Sequence, residues 1–376
     1  MTIWYNQVRV RIDLQALLHN YDVIKGYAAN PAPIVKSDAY GHGLKAVAPV
    51  LAQAGATTMG AGTVYEAAVL KEELPNLEVI SLLGPLEEED YPLACEKDLI
   101  VFVSRTEQLL LLEEEARRVG APMRVALKFD TGMSRLGFSP GEAAGVAAVL
   151  DGLEFIRASL VCSHLATADD PDQKSYVQDQ AQRFEGILQV FNARGLAIRA
   201  SLANSGAVFG FPNYHYDLQR PGIGLYGGNP FYGSAWEDLV PKLAQAMSVT
   251  TKLIQIRTVT SGQSVSYGRT FVSKTEMRIG IVAVGYADNY SRGLSSKGWM
   301  YLRGQRVPVL GRVCMQLTAI DLTHVPDAEV GDDVYLLGGD GPQAITVDEL
   351  AAWWGTISYE VFCLLGQNPR EYVGQN

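Results

Sequence analysis

The chain has 376 residues, more than the roughly 250–300 at which one hydrophobic core stops growing, so two domains are expected. Hydrophobic residues make up 48% and charged residues 19%, a globular mix, and a net charge of −10 argues against a nucleic-acid partner. No apolar run approaches the ~20 residues of a membrane span or forms a signal peptide, and Cys95, Cys162, Cys314 and Cys363 are scattered, so the chain reads as cytoplasmic with reduced thiols.

Short apolar runs alternate with helical patterns between residues 11 and 238. Strands are expected at 33–36, 57–61, 78–83, 99–103, 124–129, 156–163, 198–202 and 218–222. Helices are expected at 63–73, 105–119, 141–150 and 172–194, with Asp13 capping the first helix and Thr63 with Glu66 forming a capping box. Eight strands separated by helices over this length fit a (β/α)8 barrel. A doubly wound open sheet has the same alternation, although no G-x-G-x-x-G follows the first strand. Past residue 239 the pattern becomes β-rich, with strands at 249–259, 277–284, 306–310, 313–322 and 333–337 joined by Gly, Pro and Asp turns. Helical segments at 346–354 and 359–365 close this second domain of 239–376, against which residues 1–10 are expected to pack.

The chemistry concentrates at the C-terminal ends of the barrel strands, where such folds carry their active sites. Lys36 ends an apolar strand in PIVKSDAYGHG, where partial desolvation lowers the amine's pKa and frees it for imine formation. The plain alternative is a strand-end lysine in a salt bridge. Lys128, Asp130 and Arg135 follow the fifth strand, His164 the sixth, and Asn204 and Ser205 the seventh, while Arg220 lies in the eighth. These four polar strand ends, five with that of the lysine, converge on one rim and suggest a site. Gly222 and Gly224 leave backbone N–H groups open to a phosphate, or merely close the barrel. His42, between glycines, reads as a turn cap. Cys162 and His164 lack the further ligands that zinc needs, and there is no G-x-S-x-G elbow. In the second domain Tyr267 and Tyr286 stand in strand-end loops, where a lone tyrosine is commonly a packing or interface residue.

These residues carry a resemblance. VKSDAYGHG, KFDTGMSRLGF, SHLATAD, ANSGA, RPGIGLYG, SYGRTF, VGYAD, GRVCM and ISYEV occur in the order and approximate spacing of the bacterial alanine racemases, which the chain resembles over nearly its whole length. The resemblance implies an isomerase with an N-terminal (β/α)8 barrel and a mainly β C-terminal domain, interconverting L- and D-alanine for peptidoglycan. It implies pyridoxal 5'-phosphate as cofactor and a homodimer whose active sites are shared across the interface. Lys36 would carry the cofactor as a Schiff base and act as one base; Tyr267 would be the other, acting in the partner's site. Arg220 would face the pyridine nitrogen, and His164 would link it to Tyr267. Tyr40, Ser205, Tyr359, Gly222 and Ile223 would hold the phosphate, with Asn204 nearby. Arg135 and Met315 would contact the substrate, Tyr286 would line its entrance, and Lys128 matches a lysine carbamylated in some members. No metal is implied. Gln316 stands where many members have an acidic residue, which keeps serine or a broader range as an alternative substrate. A same-fold pyridoxal-phosphate decarboxylase is opposed by RPGIGLYG and SYGRTF. A pyridoxal-phosphate carrier is opposed by the second domain, because carriers resemble the barrel alone.

Overall fold

The structure, a computed structural model, describes residues 6–374, so the part of the N-terminal expectation that falls on residues 1–5 lies outside the described residues, as do residues 375–376. Six parallel strands neighbour one another in chain order: Thr58–Ala61, Glu78–Ser81, Ile100–Val103, Met123–Lys128, Ile156–Cys162 and Arg199–Ser201. The expected first and eighth strands shrink to single bridges that close the ring. Ile34 bridges Gly60 on one side, where Val35 N–H donates to the Gly60 carbonyl at 2.8 Å. Pro31 bridges Gln219 on the other, where Ala32 N–H donates to the Gln219 carbonyl at 2.7 Å. Arg220 N–H reaches the Ala203 carbonyl at 2.9 Å and completes the circuit. These two segments stay short because Pro31, Pro33 and Pro221 have no N–H to donate to a ladder.

Strand alternation divides the core. Ile80, Ile100, Phe102, Ala126, Leu160 and Cys162 fill the barrel interior with Ala32 and Leu218 of the two short strands. Val79, Val101, Val103, Val125 and Val161 point outward to the helices. The expected helices form as Val64–Glu73, Thr106–Val119, Ala143–Asp151 and Lys174–Ala193. Asp13 caps Leu14–Lys25 by accepting from Gln15 N–H at 2.9 Å and Ala16 N–H at 3.2 Å. Among the described residues no helix is long and apolar enough to cross a membrane.

The second sheet runs in the order Met277–Val282, Thr318–Asp321, Gln305–Leu310, Trp299–Leu302, Asp333–Leu337, Met247–Val259, Arg9–Asp13, Arg370–Val373. A further pairing between Met277–Val282 and Met247–Val259 rolls its first six strands into a closed barrel. Arg9–Asp13 and Arg370–Val373 pair in parallel, so segments from the two far parts of the chain share this sheet. The strand expected at 313–322 is real only from Thr318; residues before it form a loop that turns at Gly311, whose φ is 66°. Trp299–Leu302, Arg9–Asp13 and Arg370–Val373 are strands the sequence pattern did not mark.

Candidate active site

The segment after the first barrel strand is neither a loop nor an ordinary helix. Ser37, Asp38, Ala39 and Tyr40 have φ of 55°, 54°, 54° and 54°, a left-handed helical turn built from four non-glycine residues. Each such residue costs about 1–2 kcal/mol. Ala39 N–H donates to the Val35 carbonyl at 2.8 Å, Gly41 N–H to Ser37 at 3.0 Å and Gly43 N–H to Asp38 at 2.8 Å. His42 has the capping role expected of it. Its buried Nδ1 lies 3.1 Å from the carbonyls of Ala39 and Tyr40, which places the proton on Nδ1. Burial holds its pKa down to about 3, so the ring is a neutral strut, packed between Tyr226 and Phe362. A Cβ on Gly41 would come 2.5 Å from the Phe362 carbonyl of the second domain, so the turn is pressed against that domain. Arg370 pairs with Asp38 and donates to the Gly41 carbonyl at 3.1 Å.

Lys36 leads this turn into the barrel mouth. Burial lowers its pKa, as does the Arg135 guanidinium and, less, Arg220; Cys363 and Glu66 oppose the shift. Lys128 is only 7% exposed, and its ammonium nitrogen donates to the Phe129 carbonyl at 3.1 Å. Burial and the Arg220 charge bring its pKa down to about 7. His164 is held well below the usual histidine range by burial and then by Arg220, Lys128, Arg135 and Lys36. These five groups therefore share one electropositive mouth. Arg220 is buried and donates to the Ser201 hydroxyl and to the Ser163 carbonyl at 2.5 Å. Its coupling to His164 is through charge.

Beside this mouth lies a hydroxyl-rich cradle. Ser205 Oγ accepts from Gly222 N–H at 2.8 Å. Asn204 caps the helix Ser205–Gly210 by accepting from Ala207 N–H at 3.1 Å and donates to the Leu165 carbonyl at 3.3 Å. A Cβ on Gly222 would stand 2.5 Å from the Tyr40 hydroxyl, so glycine is what lets that hydroxyl approach the turn Ile223–Tyr226. The Tyr40 ring stacks on Tyr226 at 4.8 Å and lies 5.7 Å from Tyr359. Tyr226, whose hydroxyl donates to the Ile34 carbonyl at 2.9 Å, went unmarked in the sequence reading although RPGIGLYG contains it.

Three second-domain motifs assemble elsewhere. Ser266 Oγ donates to the Arg312 carbonyl at 2.5 Å, and Tyr286 N–H donates to the Cys314 carbonyl at 3.0 Å. The loops carrying Tyr267, Tyr286 and Met315 thus lean on one another. Their side chains are 71%, 44% and 58% exposed, respectively. A tyrosine that exposed is not enclosed by the barrel mouth of its own chain. The site residues therefore form two groups within one chain: the barrel mouth with its cradle, and this exposed face.

The alanine racemase N-terminal domain family matches residues 12–230, and the C-terminal domain family matches residues 246–373. A relative described as alanine racemase, from Nitratidesulfovibrio vulgaris, is 46% identical over 372 residues, covering 99% of this chain and 100% of its own. The biosynthetic alanine racemase of Pseudomonas aeruginosa superposes with a TM-score of 0.89 at 34% identity, covering 98% of this chain and 100% of its own. The alanine racemase of Bartonella henselae with covalently bound pyridoxal phosphate superposes with a TM-score of 0.85 at 27% identity, covering 98% and 99%.

Proposed function

The chain belongs to the alanine racemase family and interconverts L- and D-alanine, and from this premise we propose that Lys36 and Tyr267 are its two bases, Tyr267 reaching the barrel mouth of a second copy. The family depends on pyridoxal phosphate, which when bound supplies the electron sink that acidifies the α-proton. Three observations fit that group to this site. Lys36 is a partly buried amine with lowered proton affinity. Tyr40 and Ser205 bring hydroxyls to the Gly222 backbone, with the Tyr359 ring beside Tyr40, as a phosphate cradle requires. Arg220 is a buried cation whose protein partners are a hydroxyl and a carbonyl, which leaves its charge for a ligand.

Racemisation removes a proton from one face of the α-carbon and returns it on the other. One side chain does not easily reach both faces, so two bases are needed, each within hydrogen-bond reach. Lys36 serves one face. Tyr267 serves the other, which assigns the exposed β face to an interface between copies. Asn204 steadies the phosphate cradle, and Arg220 would offer the cofactor's ring nitrogen a positive charge without releasing a proton. His164, kept neutral by burial, would link Arg220 to the incoming phenol. Arg135 and the Met315 backbone hold the substrate carboxylate, and Tyr286 narrows the entrance. The Lys128 amine, with its pKa down to about 7, has near neutral pH a substantial share of the uncharged form that adds carbon dioxide. Its carbamate would lie between the Arg220 and Arg135 charges. The serine or broader-range reading prompted by Gln316, and the decarboxylase reading, are not favoured, since the relatives are alanine racemases.

The exposure of Tyr267 carries the two-chain reading, and mixing variants tests it. Lys36→Ala and Tyr267→Phe are each expected to be inactive. In re-equilibrated mixed dimers one site of two regains both bases, which restores about a quarter of wild-type activity. No recovery on mixing would refute the shared site.

A further inference from the structure

The sequence marks Thr63 and Glu66 as a capping box, in which the glutamate should return to the Thr63 N–H. Only half of that box forms. Thr63 Oγ1 accepts from Glu66 N–H at 3.1 Å, but the Glu66 carboxylate turns away from the helix it was expected to cap. Its Oε1 accepts from Asp38 N–H at 2.8 Å, and its Oε2 accepts from Gly62 N–H at 2.7 Å. Asp38 is the second residue of the left-handed turn that begins just after Lys36, and Gly62 directly follows the neighbouring strand Thr58–Ala61. A Cβ placed on Gly62 would lie 2.9 Å from Glu66 Oε2 and 3.4 Å from Lys36 Cβ, so lysine, carboxylate and strand end are in one contact group.

We propose that Glu66 is a positioning residue for Lys36: its carboxylate straps the left-handed turn to the neighbouring strand and so fixes where the Lys36 amine enters the barrel mouth. The proposal rests on the reading of Lys36 as cofactor lysine and base. A four-residue left-handed turn without glycine relaxes unless its backbone donors are held from outside. Asp38 N–H is the donor next to the lysine that a side chain holds. Arg370 and the Leu44 N–H secure the Asp38 carboxylate, not its backbone, so they do not replace the strap. Glu66 also carries the negative charge that supports protonation of Lys36, against the opposing charges of Arg135 and Arg220 and beside the thiol of Cys363.

The test compares Glu66→Gln and Glu66→Ala with wild type. Glu66→Gln keeps the volume but faces one of the two N–H groups with an amide NH2, and it is the variant read if Glu66→Ala does not accumulate as folded protein. The pH midpoint for acylation of Lys36 in the apoprotein is measured by peptide mapping and is expected to fall in Glu66→Gln, because the charge that raises it is removed. In the holoprotein kcat is expected to fall roughly tenfold to a hundredfold with little change in KM. Glu66→Asp, which keeps the charge on a shorter arm, is expected to restore the midpoint more than kcat. A lowered melting temperature with unchanged midpoint and unchanged kcat would make Glu66 a merely structural residue and overturn the proposal. Borohydride reduction of the wild-type holoprotein separates the two claims. If it leaves Lys36 unlabelled, the cofactor reading falls, while the apoprotein midpoint still reports on Glu66.

Discussion

Burial and the Arg220 guanidinium bring the Lys128 amine to about 7, against an ordinary value of 10.5 in an unfolded chain. The folded-state value is the lower one, so between those two values the unfolded chain binds more protons and stability rises with pH. Below about 7 the folded protein must bury the charged form and the penalty is complete. Lys128→Met in bicarbonate-free buffer is therefore expected to raise the melting temperature by roughly 2–5 °C at pH 6, with the gain fading above pH 7. A gain independent of pH would show that packing, not charge, sets it. Tyr267→Phe removes the proposed second base and leaves the exposed ring in place. Racemisation should fall by about 10²- to 10⁴-fold while the bound chromophore's absorbance persists. Full racemase activity in that variant would end the two-base reading. The identities of these residues were readable from motifs. Their protonation was not, because the shifts on Lys128 and His164 come first from burial in the closed barrel and then from charges on separate strands.

The left-handed turn is the element that the sequence hid. Ser, Asp, Ala and Tyr carry no signal for φ near 54°, and an apolar strand followed by glycine reads equally as a plain loop. Contacts from His42, Arg370, Glu66 and Phe362, three of them distant in sequence, impose it. Gly41 is where the turn meets the second domain at φ 78°. Gly41→Ala is expected to destabilise the protein by roughly 2–4 kcal/mol through the left-handed penalty and the clash with Phe362. Calorimetry would show this as a lower melting temperature, and an unchanged transition would contradict the packing described. By contrast, the six central barrel strands were legible because each is a short apolar run between turn residues. The first and eighth were over-read, since apolar character does not reveal that proline removes ladder donors.

At the scale of the molecule the two domains meet at the lysine turn, while Tyr267, Tyr286 and Met315 stand exposed on the second domain. If that face docks on a second copy, racemisation per unit mass should fall on dilution below the dimer's dissociation constant. Borohydride labelling of Lys36, which needs one chain only, should persist at the same dilution. Racemisation that persisted undiminished at that dilution would place the whole site within a single chain. The clustering of the three second-domain motifs was not readable from their spacing, because loops of the rolled sheet bring together residues 266, 286 and 315 only once its strands pair.

By itself the sequence determined the alternation of apolar runs that makes a barrel, the change to a β-rich second part, and the order of motifs that places the chain in its family. Hydrophobic periodicity and local turn chemistry are short-range properties, and they survive in a linear string. Tertiary structure alone decided the hand of the turn after Lys36, the diversion of the Glu66 carboxylate from its helix cap, and the near-neutral amine of Lys128. Each of these arises from groups far apart in the chain, whose desolvation and hydrogen bonds exist only when the strands are closed and the second domain is docked.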